Sequence, residues 1–398
     1  MKRFNLATVI SAALGAAFAL GACSPAATPA ATPASGTAAA TVQPGAATAL
    51  PAGSITLNGA GATFPDPIYT EWRYGFQLVD PSVVINYQAI GSGGGQSAIE
   101  QGTVDFAGSD SLLPTSAYSG TNSDLQMFPT VAGAIVMIFN IKEITSGLTL
   151  DAASLSGIYL GKITMWNDPA IAAANPGLTL PAQKITVVHR SDGSGTTDNF
   201  TKYLADISPD WVTAVGAPGH ANSVQWPVDK AGNGVGGKGN NGVAAAVQNT
   251  PYSIGYVELS YAVANSISFA TQINAAGKKV TANLASLQSA MSDYGDKFAD
   301  NLTIPEITNG KGDGSWPMST YTYQVLHMQQ KSDPTVGCLK LTKYLDWVHW
   351  YLTDPNAAKR ASALGYATLP DAVRTKVFAK LATATCDGKP VQSDIAAK

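Results

Sequence analysis

Three times along this chain a short apolar run breaks into glycines and hydroxyls and then takes up a helical period. The segments are "GAGATFPDP" (Gly59 to Pro67), "IGSGGGQS" (Ile90 to Ser97) and "RSDGSGTTD" (Arg190 to Asp198). The runs before them, "SITLNGAG", "VVINYQAI" and "KITVVHR", have the length and residue types of strands. A strand that feeds a helix through a glycine turn, repeated along one chain, argues for an α/β fold with largely parallel sheets. The first turn of a helix leaves backbone N–H groups without partners, and the helix dipole is positive there. Such an end binds anions without help from lysine. Glycine lets the backbone approach the anion, and Ser or Thr adds a donor. For any one segment a hydroxyl cap on a glycine turn is explanation enough. Three of them at the carboxyl ends of strands argue for one shared ligand site.

The remaining body fits this alternation. "TVDFAGSDS" and "YTYQVLHM" are strand candidates, as is "SIGYVELSYA". "AGAIVMIFNI" is a continuous apolar run, as expected of a strand buried on both faces. Ile68, Trp72 and Phe76 share one helical face, and Phe200, Tyr203, Leu204 and Ile207 another. Towards the C-terminus, Asp333-Pro334 offers an N-cap and a first-turn proline for a helix carrying Cys338, Leu341, Leu345, Val348 and Leu352 on one side. A last helix follows "LPDAV". No tandem repeat is evident.

The two ends of the function question are bounded by charge and by the N-terminus. With 24 Lys and Arg against 27 Asp and Glu, net −3, the chain has no basic excess to suit nucleic acid. "MKRFNLATVISAALGAAFALGAC" has two early cations, an apolar run and small residues, the pattern of a secretory signal over residues 1–22. Leu20-Gly21-Ala22-Cys23 looks like a bacterial lipobox, so Cys23 is expected as the lipid-bearing first mature residue; an ordinary signal peptide is the alternative. Residues 23–53 then form an uncharged Ala/Pro/Thr/Gly tether. In an exported chain the two remaining cysteines, Cys338 and Cys386, are candidates for a disulfide, with two buried thiols the alternative.

Among the polar residues of the third segment, Arg190 brings a planar charge that forks onto two oxygens, and Asp192 is placed to hold it. Asp110, in "DFAGSDS", is odd beside an anion site. A turn aspartate is the plainer reading. A carboxylate there makes sense if the ligand carries a proton, as phosphate does at neutral pH and sulfate does not. A site that expects a donor rejects analogues lacking it by up to ~10⁴–10⁵.

Together "GAGATFPDPIY", "INYQAIGSGGG", "TVDFAGSD", "GIYLGKITMWND", "PGLTLP", "VVHRSDGSGTTDNFT", "GGKGNNGVAAAVQ" and "SIGYVE" resemble the phosphate-binding proteins of bacterial phosphate ABC transporters, in order, from about Ile55 to the C-terminal helices. The resemblance implies a two-lobed type II periplasmic binding protein with mixed or parallel sheets flanked by helices and a ligand cleft between lobes. Lobe one would be 54–131 plus 317–398, and lobe two 132–316. It implies phosphate contacts from Thr63, Phe64, Ser92, Asp110, Arg190, Ser194, Gly195 and Thr196, with Asp192 orienting Arg190. It further implies no cofactor, no catalysis, a monomer, and the permease subunits of the transporter as partners. The expected place is the periplasm or the outer face of the cell membrane. Departures are Gly93, where many relatives have a second serine, His189 before the arginine, and a slightly longer "VDKAGNGVGGKGNN".

Other chemistries fit less well. Lys238 in "GGKGNN" lacks the Ser or Thr and the spacing of a P-loop. No nucleophile elbow of the G-x-S-x-G type is present. His189, His220, His327 and His349 show no metal-ligand spacing. The alternatives left are a phosphatase-like enzyme on the same scaffold and a binding protein for another protonated oxyanion such as arsenate.

Overall fold

The computed structural model describes residues 54–295, 297–304 and 307–396. The expected signal peptide, Cys23 and the expected tether lie outside the described residues.

Nine strands make one large mixed sheet: β1 Ile55–Gly61, β2 Val83–Ala89, β3 Phe106–Ser109, β4 Leu125–Asn140, β5 Thr186–Arg190, β6 Gly234–Gly237, β7 Ser253–Glu258, β8 Ser319–His327 and β9 Ala367–Thr368. Its order is β2-β1-β3-β8-β4-β7-β5-β6, with β9 pairing on β4. Two small three-stranded sheets lie apart from it. The apolar run noted above is the second half of β4, and all but the last residue of that strand are buried.

The partners of β4 change midway. Leu125 to Ala134 pair with β8, and Ile135 to Asn140 with β7, both antiparallel. This fixes the direction of everything else. In the first half β3 is antiparallel to β8 and parallel to β1, which is parallel to β2. Those three strands therefore run with β4, and their carboxyl ends point towards the Ala134/Ile135 junction. In the second half β5 is parallel to both β7 and β6, so all three run against β4. Their carboxyl ends point back at the same junction. Two sets of parallel strand ends thus face one another, where open α/β sheets collect ligands.

Each glycine segment opens a helix: α1 Asp66–Val79, α2 Ser92–Glu100 and α3 Gly195–Ile207. A fourth, α4 Gly239–Asn249, follows β6 in the same way. α1 buries Ile68, Trp72 and Phe76, and Trp72 stacks on Tyr351 with ring centroids 4.4 Å apart. On the other side Phe200 of α3 stacks on Tyr256 of β7, also at 4.4 Å.

Two local expectations are corrected. "SIGYVELSYA" stays a strand only to Glu258; Leu259–Ala264 is a short helix, because the Glu258 side chain accepts from Ser260 N and caps it. The C-terminal helix α5 spans Leu339–Thr353 with Cys338 as its N-cap residue, not Asp333. Asp333 and Gly337 exchange backbone hydrogen bonds in a tight turn, with Gly337 at φ 62°, and this ends the chain's freedom to start a helix there. The helix after "LPDAV" is α6 Asp371–Leu381. Cys338 and Cys386 are bonded, Cα atoms 5.9 Å apart.

Candidate functional site

At the end of β1, Gly61 (φ 141°) turns the chain against Gly108 and leads into Thr63 and Phe64, both buried. Thr63 Oγ1 accepts from Asn240 N at 3.1 Å and from Asn240 Nδ2 at 2.8 Å. With those lone pairs used, its own hydroxyl hydrogen is left to donate elsewhere. The carbonyls of this turn are also held: Tyr261 Oη donates to Thr63 O (2.6 Å) and Tyr366 Oη to Phe64 O (2.7 Å).

At the end of β2, Gly91 (φ 88°) lets Ile90 and Gly91 both donate to Gly61 O, and Ser92 opens α2. Ser92 Oγ accepts from Asp110 N at 3.1 Å and lies 3.5 Å from Asp110 Oδ2. At the end of β3, Asp110 caps no helix; its side chain turns inward and is 4% exposed with the rest of the residue. Thr322 Oγ1 donates to Oδ1 at 2.7 Å, and Oδ2 receives only the long contact from Ser92 Oγ. Burial pushes the carboxyl up to about 7, against the Thr322 hydrogen bond and the Arg190 charge that pull it down.

From the other half, β5 delivers Arg190, its side chain 1% exposed. Nε and Nη2 donate to the two oxygens of Asp192 at 2.7 and 2.5 Å, and Nη1 reaches towards Thr196 Oγ1 at 3.5 Å. The Asp192 carboxyl, although burial raises it, is held below its ordinary value by Arg190. Asp192 Oδ1 also accepts from Gly239 N at the start of α4. Ser194 is the N-cap of α3 and accepts from Thr197 N, leaving its hydroxyl hydrogen free to point outward.

The two sets of residues meet. A Cβ on Gly195 would lie 2.5 Å from Ser92 Oγ and 2.7 Å from Asp110 Cβ, so only glycine allows the start of α3 to press onto that pair. Gly93 N donates to Gly193 O at 3.0 Å, main chain to main chain. Asn199 Nδ2 donates to Asp110 O, and Ser111 Oγ to Asn222 Oδ1. Thr63, Phe64, Ser92, Asp110, Arg190, Ser194, Gly195 and Thr196 thus lie in one contiguous buried cluster, with half-buried Asp192 at its edge.

Sequence reasoning missed two members. Asn240 links Thr63 to Thr196, donating to Oγ1 of each at 2.8 and 3.2 Å. Its signal was present: "GGKGNNG" is a fourth strand–glycine–helix segment, but its lysine, which is exposed, drew attention to a P-loop instead. Thr322 carried no local signal, lying mid-strand in β8. The histidines serve packing and pairing: His189 stacks on Trp226 and bonds Asp229, His220 bonds Asp198, His327 bonds Asp124, and His349 packs on Phe378. Among the described residues the one close group of metal-ligating types is Cys338, Cys386 and Asp387, whose thiols are spent in the disulfide.

Facing strand ends, helix starts gathered at their junction and a shared central strand define a solute-binding protein of the type II periplasmic binding fold. Residues 27–349 match the PBP superfamily domain. The chain is 42% identical over 318 residues to the phosphate-binding protein PstS of Xylella fastidiosa (strain Temecula1 / ATCC 700964), covering 80% of this chain and 82% of that one. It is 40% identical over 338 residues to PstS of Pasteurella multocida, covering 84% and 92%. The chain belongs to the PstS family of phosphate-binding proteins. In fold it is similar to a phosphate-binding protein from Stenotrophomonas maltophilia, with TM-score 0.61, 22% identity, and coverage of 85% and 100%. It is likewise similar to a high-affinity periplasmic phosphate-binding protein solved with phosphate, with TM-score 0.63, 21% identity, and coverage of 82% and 93%.

Proposed function

We propose that this chain binds inorganic phosphate outside the cytoplasm and delivers it to the permease of an ABC transporter for import. The ligand is held between two lobes, 54–131 with 317–398 and 132–316. The change of partners on β4 at Ala134/Ile135, and the start of β8 at Ser319, fall close to those boundaries. Thr63, Phe64, Ser92 and Asp110 come from the first lobe, and Arg190, Ser194, Gly195 and Thr196 from the second. A ligand gripped by both favours the closed arrangement and shifts a hinge equilibrium. Arg190 Nη1 supplies the single positive contact, and Asp192 fixes the guanidinium by occupying its other edge.

The observation that carries this reading is Asp110: one acceptor, whose Oδ2 receives only a long 3.5 Å hydrogen bond from Ser92 Oγ, in a set otherwise made of donors. That pattern suits a tetrahedral oxyanion bearing a proton. Calorimetric titration with phosphate, arsenate and sulfate tests it. Tight phosphate binding with sulfate rejected supports the assignment; equal binding of sulfate, or none of phosphate, overturns it. Arsenate, matching phosphate in shape and protonation, is the runner-up ligand.

The chain acts as a binding protein and not as a phosphatase. Among the described residues no general base is hydrogen-bonded to Thr63, and the Ser194 oxygen is committed to capping α3. Turnover of a phosphate monoester by the purified protein would contradict this. Cys23 carries a lipid, the tether holds a monomeric body off the membrane, and no described helix is long and apolar enough to span one. Palmitate labelling of the full chain, lost in Cys23→Ser, checks the anchor.

A further inference from the structure

We propose that Glu258 carries a proton and is a positioning residue for the ligand-binding turn, donating to Tyr366 Oη so that Tyr366 can donate to the Phe64 carbonyl. The consequence for affinity rests on the phosphate reading above; the protonation does not.

Tyr366 has one phenolic proton and two close oxygens to share it with. Tyr366 Oη lies 2.7 Å from Phe64 O and 2.8 Å from Glu258 Oε2, with Ser260 Oγ further off at 3.2 Å. All of these residues are buried. A phenol has one proton to give, and a peptide carbonyl has none. If Tyr366 donates to Phe64, the contact with Glu258 needs a proton from the acid. If it donates to an ionised Glu258, two bare acceptors meet at the Phe64 carbonyl. The Ser260 hydroxyl lies on Oε2 and cannot fill that gap. A proton on Glu258 satisfies both short contacts of the phenol.

The surroundings agree. Glu258 is fully buried, Oε1 has no hydrogen-bond partner among the described residues, and Oε2 is met by Ser260 N, Ser260 Oγ and Tyr366. The titratable groups that face it are Asp110, whose charge pushes the acid up, and the phenols of Tyr261 and Tyr366. No cation is bonded to it among the described residues. Burial, chiefly, takes the carboxyl up to about 8.

Glu258 ends β7, in the second half of the sheet, while Phe64 and Tyr366 flank β4 in the first. The chain of donors therefore runs between the halves, directly behind the turn that carries Thr63 and Phe64. Its main-chain N–H also donates to Asn240 Oδ1 at 2.9 Å, which aims the Asn240 amide at Thr63. Loss of the proton, at a pH above its midpoint, leaves one phenol proton for two acceptors and loosens the turn.

Two measurements test this. In the full chain labelled with carboxyl-¹³C glutamate, which has five glutamates, the Glu258 resonance is assigned by through-bond correlation to its own amide. Its shift should be that of a neutral acid at pH 7, with a midpoint well above those of the exposed glutamates. A carboxylate shift at pH 6–7 overturns the proposal, whatever the protein binds. Second, phosphate affinity is compared between wild type and Tyr366→Phe at matched pH, so that phosphate's own ionisation cancels. Wild type should bind roughly tenfold tighter at pH 6.5, as one hydrogen bond is worth. That advantage should shrink towards pH 9. A ratio constant across this range overturns the role.

Discussion

Replacing Asp110 by asparagine should invert the chemistry of one corner of the site and leave its shape alone. Thr322 donates to Oδ1 at 2.7 Å, and the asparagine oxygen keeps that bond. The amide nitrogen then takes the place of Oδ2 near Ser92, where a donor stands instead of an acceptor. Phosphate loses the acceptor for its proton; one hydrogen bond to a charged group is worth ~1.5–3 kcal/mol, or about 10- to 150-fold in Kd. Sulfate gains a donor where it had met a carboxylate, a change of similar size in the other direction. The phosphate-over-sulfate ratio should fall by about 10²–10⁴. The wild-type protein offers the same test through pH. With the Asp110 carboxyl near 7, its neutral, donating form is about a tenth of the population at pH 8 and about nine-tenths at pH 6. Sulfate does not titrate in this range, so its affinity for wild type should rise about tenfold from pH 8 to pH 6 and stay flat in Asp110→Asn. Calorimetry or competition with a fluorescent phosphate reporter reads both. A selectivity ratio unchanged by the substitution would refute the reasoning and make Asp110 a purely structural acid.

Further expectations follow from the same contacts. Gly195→Ala places a Cβ within 3 Å of Ser92, Asp110 and Ser111, so phosphate binding should drop by more than about 100-fold. Melting temperature should fall as well, since the crowded atoms include main chain and the Cβ of buried Asp110. Asn240→Ala removes the amide donor to Thr63 Oγ1 and Thr196 Oγ1, leaving Thr63 only the main-chain donor, and takes the acceptor from Glu258 N; phosphate Kd should rise about 10- to 100-fold by calorimetry. Reduction of Cys338–Cys386, 48 residues apart, should cost about 4 kcal/mol in urea unfolding and leave phosphate affinity intact, because neither cysteine's element contributes to the site. Asp110 and Glu258 are both raised, so between the ordinary carboxyl range and pH 7–8 the folded chain holds protons that the unfolded chain has lost. Stability should therefore fall as pH rises through that window and level off above it, checked by unfolding at pH 5, 7 and 9.

Resemblance to known transport proteins named Thr63, Ser92, Asp110, Arg190 and Ser194, but their meeting about one junction was visible only in three dimensions. What the amino-acid order determined was local. Glycine and hydroxyl residues after an apolar run set three helix starts, the periodicity of α1 and α3 set which faces are buried, and the unbroken apolar run of β4 set it inside the sheet, because all of these depend on residues a few positions apart. The fourth helix start, at Gly239, was legible in kind but its lysine misled. Tertiary structure decided the rest. The strand ends face one another because β4 is long enough to serve both halves and runs antiparallel to β8 in one and to β7 in the other, and chain direction leaves no periodic trace. Thr322 reaches Asp110 across 212 positions and Tyr366 reaches Phe64 across 302, distances over which no spacing rule acts. Protonation belongs to the same level: Asp110 and Glu258 are ordinary acids in sequence, and only burial, with the partners it imposes, makes one poised near neutrality and the other a donor.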